Sequence, residues 1–344
     1  MKKINWGIIG LGNIANTFAS AFYNSKNSKL LGISSKSSKK LNMFKEKHDI
    51  SNEYCFESYQ DLLNCDKIDI IYIALPHSFH FEWVVKCIES NKNILVEKPA
   101  TINFEEMKKI IEKLKNSKLF FSEAFMYLHH PQTQKLINLI KEDSIGELIS
   151  MESNFGFNIV EKKFLGFKWN KLNKKKRLFN KSLGGGSILD LGCYPSSFSI
   201  LMAKLKSETD LDKLEIKNVK KDFGSIDVDL EAYAELHFNN DFTSKINCSF
   251  KKNLGQSTKL IGTNGEIFVE NTWTCNPVKI TLNGNNYDDF DHNFNNLYSY
   301  EIEKVSECLL NNRKDSIYPS MNRYETLENM KILNKWMEID QNQK

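Results

Sequence analysis

The chain has 344 residues, more than one hydrophobic core usually organises, so two domains are expected. Hydrophobic residues make up 41% and charged residues 26%, a composition that excludes the disordered, collagenous and membrane-embedded classes. The net charge of +4, from 47 basic and 43 acidic residues, is too balanced to indicate a nucleic-acid partner.

Short apolar runs alternate with helical patterns over residues 1–122. Strands are predicted at residues 4–9, 30–34, 68–74, 93–96 and 119–122, and helices at residues 14–23, 39–47, 78–90 and 104–115. This alternation is typical of βαβ units. It predicts an α/β domain with a doubly wound parallel sheet and helices on both faces.

The pattern changes over residues 123–344. A helix at 132–142 precedes a strand at 147–158 and a polar loop that runs to residue 183. Alternating segments such as 232–238 and 245–250, joined by a turn at 239–241, predict antiparallel strands, and amphipathic helices at 296–310 and 322–337 close the chain. We therefore predict a second, α+β domain over residues 123–344.

Seven scattered cysteines, odd in number and without CxxC spacing, predict neither a zinc site nor a disulfide framework. No acidic residues accompany the histidines at ligand spacing, so no metal is expected. The N-terminal apolar stretch is too short for a signal peptide, and no run of about twenty apolar residues indicates a membrane helix. A cytoplasmic protein without a membrane partner is expected.

A glycine-rich loop follows the first predicted strand directly. Gly10, Gly12 and Ala15 form the pattern GxGxxA between this strand and the first predicted helix. In this context Gly10 allows a tight turn, Gly12 lets the backbone approach a pyrophosphate, and the helix N-terminus offers amide groups to it. The loop therefore predicts dinucleotide binding, with Asn13 and Ile14 beside it.

The end of the second predicted strand bears on the choice of coenzyme. An NAD-selective domain normally carries an acidic residue there, whereas this chain has Ser34, Ser35, Lys36, Ser37 and Ser38. Hydroxyl groups and a lysine suit a 2′-phosphate. NADP(H) is therefore the expected coenzyme, with NAD(H) as the alternative.

Further motifs lie in order along the chain: Ala74-Leu75-Pro76-His77-Ser78-Phe79-His80, then Ile94-Leu95-Val96-Glu97-Lys98-Pro99 at the end of a predicted strand, Glu123-Ala124-Phe125-Met126-Tyr127-Leu128-His129-His130-Pro131-Gln132, and Leu183-Gly184-Gly185-Gly186-Ser187-Ile188-Leu189-Asp190-Leu191-Gly192-Cys193-Tyr194-Pro195. With the glycine loop, they resemble the Gfo/Idh/MocA family of oxidoreductases. Tyrosine at 194, where many members carry histidine, resembles the branch with sugar-nucleotide 3-ketoreductases and dimeric dihydrodiol and D-xylose dehydrogenases.

The resemblance implies a Rossmann domain followed by a domain with an open, mostly antiparallel sheet, which often serves in oligomerisation. A homodimer or homotetramer is expected, because an exposed sheet that stays unpaired invites aggregation. The resemblance implies Lys98 as the catalytic-site lysine. The expected coenzyme contacts are Gly10, Gly12, Asn13, Ile14, Ser35, Lys36, Leu75, Pro76, His80, Glu97 and Lys98.

Hydride transfer at a carbinol carbon needs a partner for the proton of the oxygen, and a hydroxyl beside an ammonium group can serve. We expect Tyr194 to act as general acid/base while Lys98 polarises the substrate oxygen, although either group could exchange the proton. Asp190, four residues before Tyr194, orients the substrate hydroxyls or Lys98, or else it is an N-cap after the glycine turn.

The expected substrate is a sugar or a sugar nucleotide. The alternatives are an aldose or dihydrodiol dehydrogenase and, in another class, an NADP(H)-sensing regulator without turnover. The basic segment from Lys171 to Arg177 gives the sugar nucleotide a modest advantage if it binds phosphate, and otherwise it is a solvated loop.

Overall fold

The structure is a computed structural model that describes residues 3–164, 167–170, 172–287 and 296–339. The chain packs into two compact units. The first comprises Met1–His130 and Asn293–Leu327, and the second comprises Pro131–His292 and Glu328–Lys344. Residues 123–130 and 296–327 thus pack with the first unit. The domain boundary after residue 122 stays a prediction.

The first unit is built on a six-stranded sheet. Its strands are β1 Ile4–Ile9, β2 Ser28–Ser34, β3 Cys55–Phe56, β4 Ile70–Ile73, β5 Asn93–Glu97 and β6 Phe121–Ala124. They are all parallel, in the order β3-β2-β1-β4-β5-β6. This is the strand order of a Rossmann fold, so the prediction of a doubly wound parallel sheet is confirmed.

The helices of the first unit follow the strands in alternation. They are α1 Asn13–Ser20, α2 Ser38–His48, α3 Tyr59–Leu63, α4 His80–Glu89 and α5 Phe104–Leu114. The sequence explains two of their beginnings, because the side chain of Ser37 accepts a hydrogen bond from Lys40 N and that of Asn103 accepts one from Glu106 N.

A helix from the C-terminal part of the chain completes the core of the first unit. We number the helices onward as α6 Pro131–Lys141, α7 Cys193–Lys206, α8 Leu297–Leu310 and α9 Arg323–Glu338. In α8, Ser306 Oγ accepts a hydrogen bond from the buried indole of Trp6, 3.0 Å away. Phe18 stacks on Tyr72 with ring centroids 3.8 Å apart and meets Tyr298 of α8 edge-on. These contacts hold α8 on the parallel sheet.

The second unit contains an eight-stranded sheet. Its strands are β7 Leu148–Gly156, β10 Glu215–Asp222, β11 Glu231–His237, β12 Thr243–Ser249, β13 Thr258–Gly262, β14 Gly265–Val269, β15 Ile280–Leu282 and β16 Asn285–Tyr287. The order is β10-β11-β12-β7-β13-β14-β15-β16, and only the β12–β7 pair among these described strands is parallel. The expected open, mostly antiparallel sheet is confirmed.

One face of this sheet is buried. Along β11, Ala232, Ala234 and Leu236 are buried, while the residues between them are partly exposed. On α9, the indole of Trp336 donates to Tyr233 O at 3.2 Å. The residues of the other face are at least partly accessible along β11.

The prediction of a polar loop up to residue 183 is wrong in part. Strands β8 Glu161–Phe164 and β9 Phe167–Asn170 pair with each other as an antiparallel hairpin. Each strand has four residues, which is too short for a periodic pattern to distinguish it from a loop. In the described part of the chain, no helix is both long enough and apolar enough to span a bilayer.

Candidate active site

The glycine loop lies between β1 and α1, as the sequence predicts. Gly10 has φ +89°, and a Cβ there would lie 2.7 Å from Ala74 O, so both the backbone conformation and the close approach require glycine. Gly10 N donates to Ser34 O at 3.2 Å, which ties the loop to the end of β2. The loop is therefore fixed against two neighbouring strands.

Gly12 faces a different environment. A Cβ at Gly12 would meet nothing within 4 Å, and α1, which begins at Asn13 and continues through Ile14, has no side-chain cap. The first N–H groups of a helix lack partners within the helix, and the positive end of the helix dipole attracts anions. The open space and the uncapped helix together fit the pyrophosphate of a dinucleotide.

Ser35 and Lys36 follow β2 at the carboxyl edge of the sheet. Ser35 is buried, and its hydroxyl accepts a hydrogen bond from Ser37 N at 3.2 Å. Lys36 is exposed, and its ammonium lies 5.8 Å from the centre of the Tyr59 ring. One carboxylate is close to this segment, because Glu57 accepts a hydrogen bond from Ser38 Oγ at 2.9 Å. The site thus presents hydroxyls and an ammonium group, with the carboxylate of Glu57 beside them.

His80 joins two loops of the first unit. It is fully buried, with Nδ1 2.8 Å from Pro99 O and Nε2 2.8 Å from Leu75 O. The loop after β4, which contains Leu75 and Pro76, is thereby held to the loop after β5, which contains Lys98. The structure gives the imidazole backbone partners that the sequence did not indicate.

Lys98 follows the last residue of β5 and is partly exposed. The preceding residue, Glu97, is buried and accepts a hydrogen bond from the hydroxyl of Tyr72. On the neighbouring strand β6, Glu123 accepts a hydrogen bond from Ala100 N at 2.9 Å. Burial raises the pKa of Glu123 to about 7, although this hydrogen bond and the charge of Lys98 oppose the increase. Lys98 is therefore set among carboxyl groups at the carboxyl ends of adjacent strands.

Asp190 and Tyr194 lie on one continuous helical segment of the second unit. Ile188–Gly192 forms a single π-helical turn that contains Asp190, and α7 then begins at Cys193. Asp190 lies inside the turn, so the alternative role as an N-cap is not observed. π-turns within helices occur frequently at functional sites.

Arg177 is the partner of Asp190 within this unit. Its Nη1 and Nη2 each donate to Asp190 Oδ1 at 3.1 Å. The side chain of Asp190 is largely buried and that of Arg177 about one-third exposed. The sequence placed Arg177 in a basic segment but did not indicate this pair. Lys171, at the start of that segment, lies outside the described residues.

Tyr194 is held by aromatic rings. Its ring meets Phe155 edge-on at 5.1 Å and lies tilted against Trp273 at 5.8 Å. The indole of Trp273 is itself fixed, because it donates to Asn154 O at 3.0 Å. These contacts restrict the ring of Tyr194 to one place on the second unit.

The structure thus distributes the predicted residues over its two units. Lys98 and the expected coenzyme contacts lie in the first unit, and Asp190 and Tyr194 lie in the second. Sequence reasoning did not assign a role to Glu123, although this residue lies in one of the motifs. Among the described residues, no group of three or more His, Cys, Asp or Glu side chains is arranged to hold a metal ion.

Two family models match the chain. The model of the oxidoreductase family with an NAD-binding Rossmann fold, GFO_IDH_MocA, matches residues 4–125, and that of the GFO/IDH/MocA C-terminal domain matches residues 133–268. Together they cover most of the chain, in the order that the motifs predict.

Relatives and solved structures agree with these matches. The chain is 27% identical to trans-1,2-dihydrobenzene-1,2-diol dehydrogenase from Xenopus tropicalis, over 90% of this chain and 91% of that protein. It is 30% identical to D-xylose 1-dehydrogenase (NADP(+)) from Hypocrea jecorina, over 56% of this chain and 51% of that protein.

The 3-ketoreductase KijD10 from Actinomadura kijaniata, solved with NADP and TDP-benzene, has the same fold. The TM-score is 0.77 at 22% identity, with 97% of this chain and 96% of that chain covered. The family matches, the strand orders and the glycine loop lead to one conclusion. The chain belongs to the Gfo/Idh/MocA family and is an NAD(P)-dependent oxidoreductase.

Proposed function

We propose that this protein is an NADP(H)-dependent oxidoreductase that transfers hydride between nicotinamide and a carbonyl or hydroxyl carbon of a sugar or a related polyol. The observation that carries the proposal is the glycine loop, where Gly12 leaves open space at the uncapped N-terminus of α1. A coenzyme pyrophosphate fits this combination, whereas an ordinary tight turn needs neither feature.

The preference for NADP(H) over NAD(H) is supported by the end of β2. Ser35 and Lys36 offer a hydroxyl and a positive charge to a 2′-phosphate. The D-xylose dehydrogenase named above and the KijD10 structure are both described with NADP. The carboxylate of Glu57, near Ser38, is the group that would favour a ribose hydroxyl instead.

The bound coenzyme supplies the hydride acceptor or donor. Lys98 is proposed to place its ammonium group on the reacting oxygen, where the charge stabilises an alkoxide. Tyr194 is proposed to exchange the proton of that oxygen as general acid/base. Asp190, paired with Arg177, is proposed to orient substrate hydroxyls.

The same ion pair bears on the substrate class. Arginine is well suited to bind a diphosphate, yet both terminal nitrogens of Arg177 donate hydrogen bonds to Asp190. Lys174 also lies 3.7 Å from a carboxylate oxygen of Asp227. A sugar nucleotide must compete with these carboxylates, so the second candidate, a neutral aldose or trans-dihydrodiol, gains support from the geometry.

We propose a homodimer or homotetramer formed through the accessible face of the second unit's sheet. Ile149, Ile261 and Phe268 are exposed on its strands, and paired Lys259 and Glu266 lie on β13 and β14. Light scattering that shows a fully active monomer at assay concentration would exclude this assembly. A cytoplasmic location is proposed from the odd number of scattered cysteines.

Fluorescence titration with NADPH and NADH tests the proposal, followed by turnover assays with aldoses, a trans-dihydrodiol and sugar nucleotides. We expect the protein to bind NADPH more tightly than NADH. With one substrate class, turnover should either consume NADPH or produce it from NADP. Lys98→Met should abolish turnover, and the exposed Lys118→Met serves as its control. Normal NADPH binding without turnover on any class would favour the regulator, and no binding of either coenzyme would refute the proposal.

A further inference from the structure

Asp229 contacts the beginning of the helical segment that carries Asp190 and Tyr194. It is buried just before β11, and its Oδ2 accepts hydrogen bonds from Ser187 Oγ and from Ile188 N, each at 2.7 Å. Its backbone oxygen accepts a third from Ser187 N at 2.9 Å. One residue thus makes three hydrogen bonds to two consecutive residues about forty positions earlier in the sequence.

The helical segment needs such an external partner. The first N–H groups of a helix have no acceptor within it, and a side chain at the N-cap usually supplies one. Ser187, at the N-cap, makes no side-chain cap bond, and the residues before it are glycines. The carboxylate of Asp229 takes this role from another part of the chain.

The close fit of Gly186 has the same origin. Gly186 has φ +114°, and a Cβ there would lie 2.5 Å from Asp229 Oδ1. Glycine therefore lets the turn approach the carboxylate. At the other end of the π-turn, a Cβ on Gly192 would lie 2.8 Å from the ring of Trp336. The turn that contains Asp190 is thus fixed at both ends.

We propose that Asp229 is a positioning residue: its buried carboxylate fixes the π-turn and thereby the places of Asp190 and Tyr194. The inference rests on the proposed function, because it assigns Asp229 an effect on turnover through Tyr194. Misplacing a catalytic group by about 1 Å can cost about 100-fold in rate, so a buried cap some residues away is sufficient to matter.

Three variants separate the parts of this argument. Asp229→Asn keeps the shape and one acceptor oxygen but loses the charge, and Asp229→Ala loses every side-chain contact. Asp241→Asn, on an exposed side chain in the turn before β12, is the control. We expect kcat to fall about 10- to 100-fold in Asp229→Ala and less in Asp229→Asn, with little change in Asp241→Asn. The Kd for NADPH, whose proposed contacts lie in the first unit, should stay unchanged.

A double-mutant cycle with Tyr194→Phe distinguishes positioning from general destabilisation. If Asp229 acts through Tyr194, Asp229→Ala should lower the residual turnover of Tyr194→Phe by a smaller factor than it lowers the turnover of the wild type, because only the effect through Asp190 remains. An equal fall in both backgrounds, or unchanged kcat in the wild-type background, would overturn the proposal. Should Asp229→Ala fail to fold, Asp229→Asn and Ser187→Ala allow the same cycle.

Amide hydrogen exchange tests the positioning without turnover. We expect faster exchange over residues 187–194 in Asp229→Ala, with residues 4–20 unchanged. Unchanged exchange over 187–194 would overturn the inference even in an active enzyme. If the wild type shows no turnover but the variant still exchanges faster over residues 187–194, the proposed function is refuted, whereas the structural role of Asp229 as a helix cap is supported.

Discussion

Lowering the pH should destabilise the first unit through His129. The side chain of His129 is only 4% exposed, and its Nε2 lies 3.2 Å from Ser320 Oγ. Burial lowers its pKa from 6.5 to about 3, so the folded protein keeps it neutral in mild acid, while the unfolded chain binds a proton. The stability from this residue is therefore present above pH 6.5 and is lost as the pH falls towards 3.

The size of the effect follows from the two pKa values. Between pH 6.5 and pH 5, the unfolded chain binds a proton at His129 that the folded protein does not bind. Over these roughly 1.5 pH units the folded protein therefore loses about 2 kcal/mol of its unfolding free energy. The carboxyl of Glu301 lies 3.9 Å from His129 Nε2. Burial, and next the charge of Glu97, hold the pKa of Glu301 well above its usual range, so this carboxyl is a weaker partner for a protonated His129 than an ordinary glutamate would be.

Urea unfolding of the wild type and of His129→Gln, at pH 7 and at pH 5, measures the effect. Glutamine can keep a hydrogen bond to Ser320 but does not titrate. We expect the difference in unfolding free energy between the two proteins to shift by about 2 kcal/mol in favour of the variant at pH 5. His237→Gln, at a partly exposed position, controls for the substitution itself. Parallel pH dependence of the wild type and His129→Gln would refute the reasoning.

Three other predictions concern the first unit. Gly10→Ala should destabilise the ligand-free protein by about 1 kcal/mol or more in thermal unfolding, because Gly10 has a positive φ and lies close to Ala74 O, 2.7 Å from the position of a Cβ. Gly12→Ala should leave this stability nearly unchanged and should weaken NADPH binding in fluorescence titration, because the space beside Gly12 is open. In the wild type, burial favours the protonated carboxyl of Glu123, so the unfolding free energy should fall by about 3 kcal/mol as the pH rises from 4.5 through about 7. Glu123→Gln does not titrate, so unfolding experiments at pH 4 and pH 8 should not show this fall in the variant. Lys36→Glu should lower the ratio of NADPH to NADH affinity about 10-fold or more; an unchanged ratio would mean that this residue does not contact the 2′-phosphate.

The first unit could be predicted largely from the sequence because its information is local. A buried strand, a glycine turn and a helix follow each other directly around Gly10 and Gly12, and each has a distinct pattern. The position of α8 could not be predicted in this way, because the bond from Trp6 to Ser306 joins residues 300 positions apart.

The same distinction applies to the candidate site. Lys98 and Tyr194 lie in motifs that the sequence displays, whereas the cap provided by Asp229 depends on how β11 returns to the glycine turn. The π-turn around Asp190 has no periodic pattern of its own within five residues. The pairing of Arg177 with Asp190 depends on loop geometry that residue order does not define.

The position of α8 affects how this protein can be divided or recombined. A fragment that ends at residue 122 or at His130 would leave the indole of Trp6 without its acceptor and would expose Phe18 and Tyr72 to water. Chimeras that exchange coenzyme-binding halves between family members should therefore carry Leu297–Leu310 along with the N-terminal part. The coenzyme-binding half of this molecule is thus assembled from two stretches of sequence that most of the second unit separates.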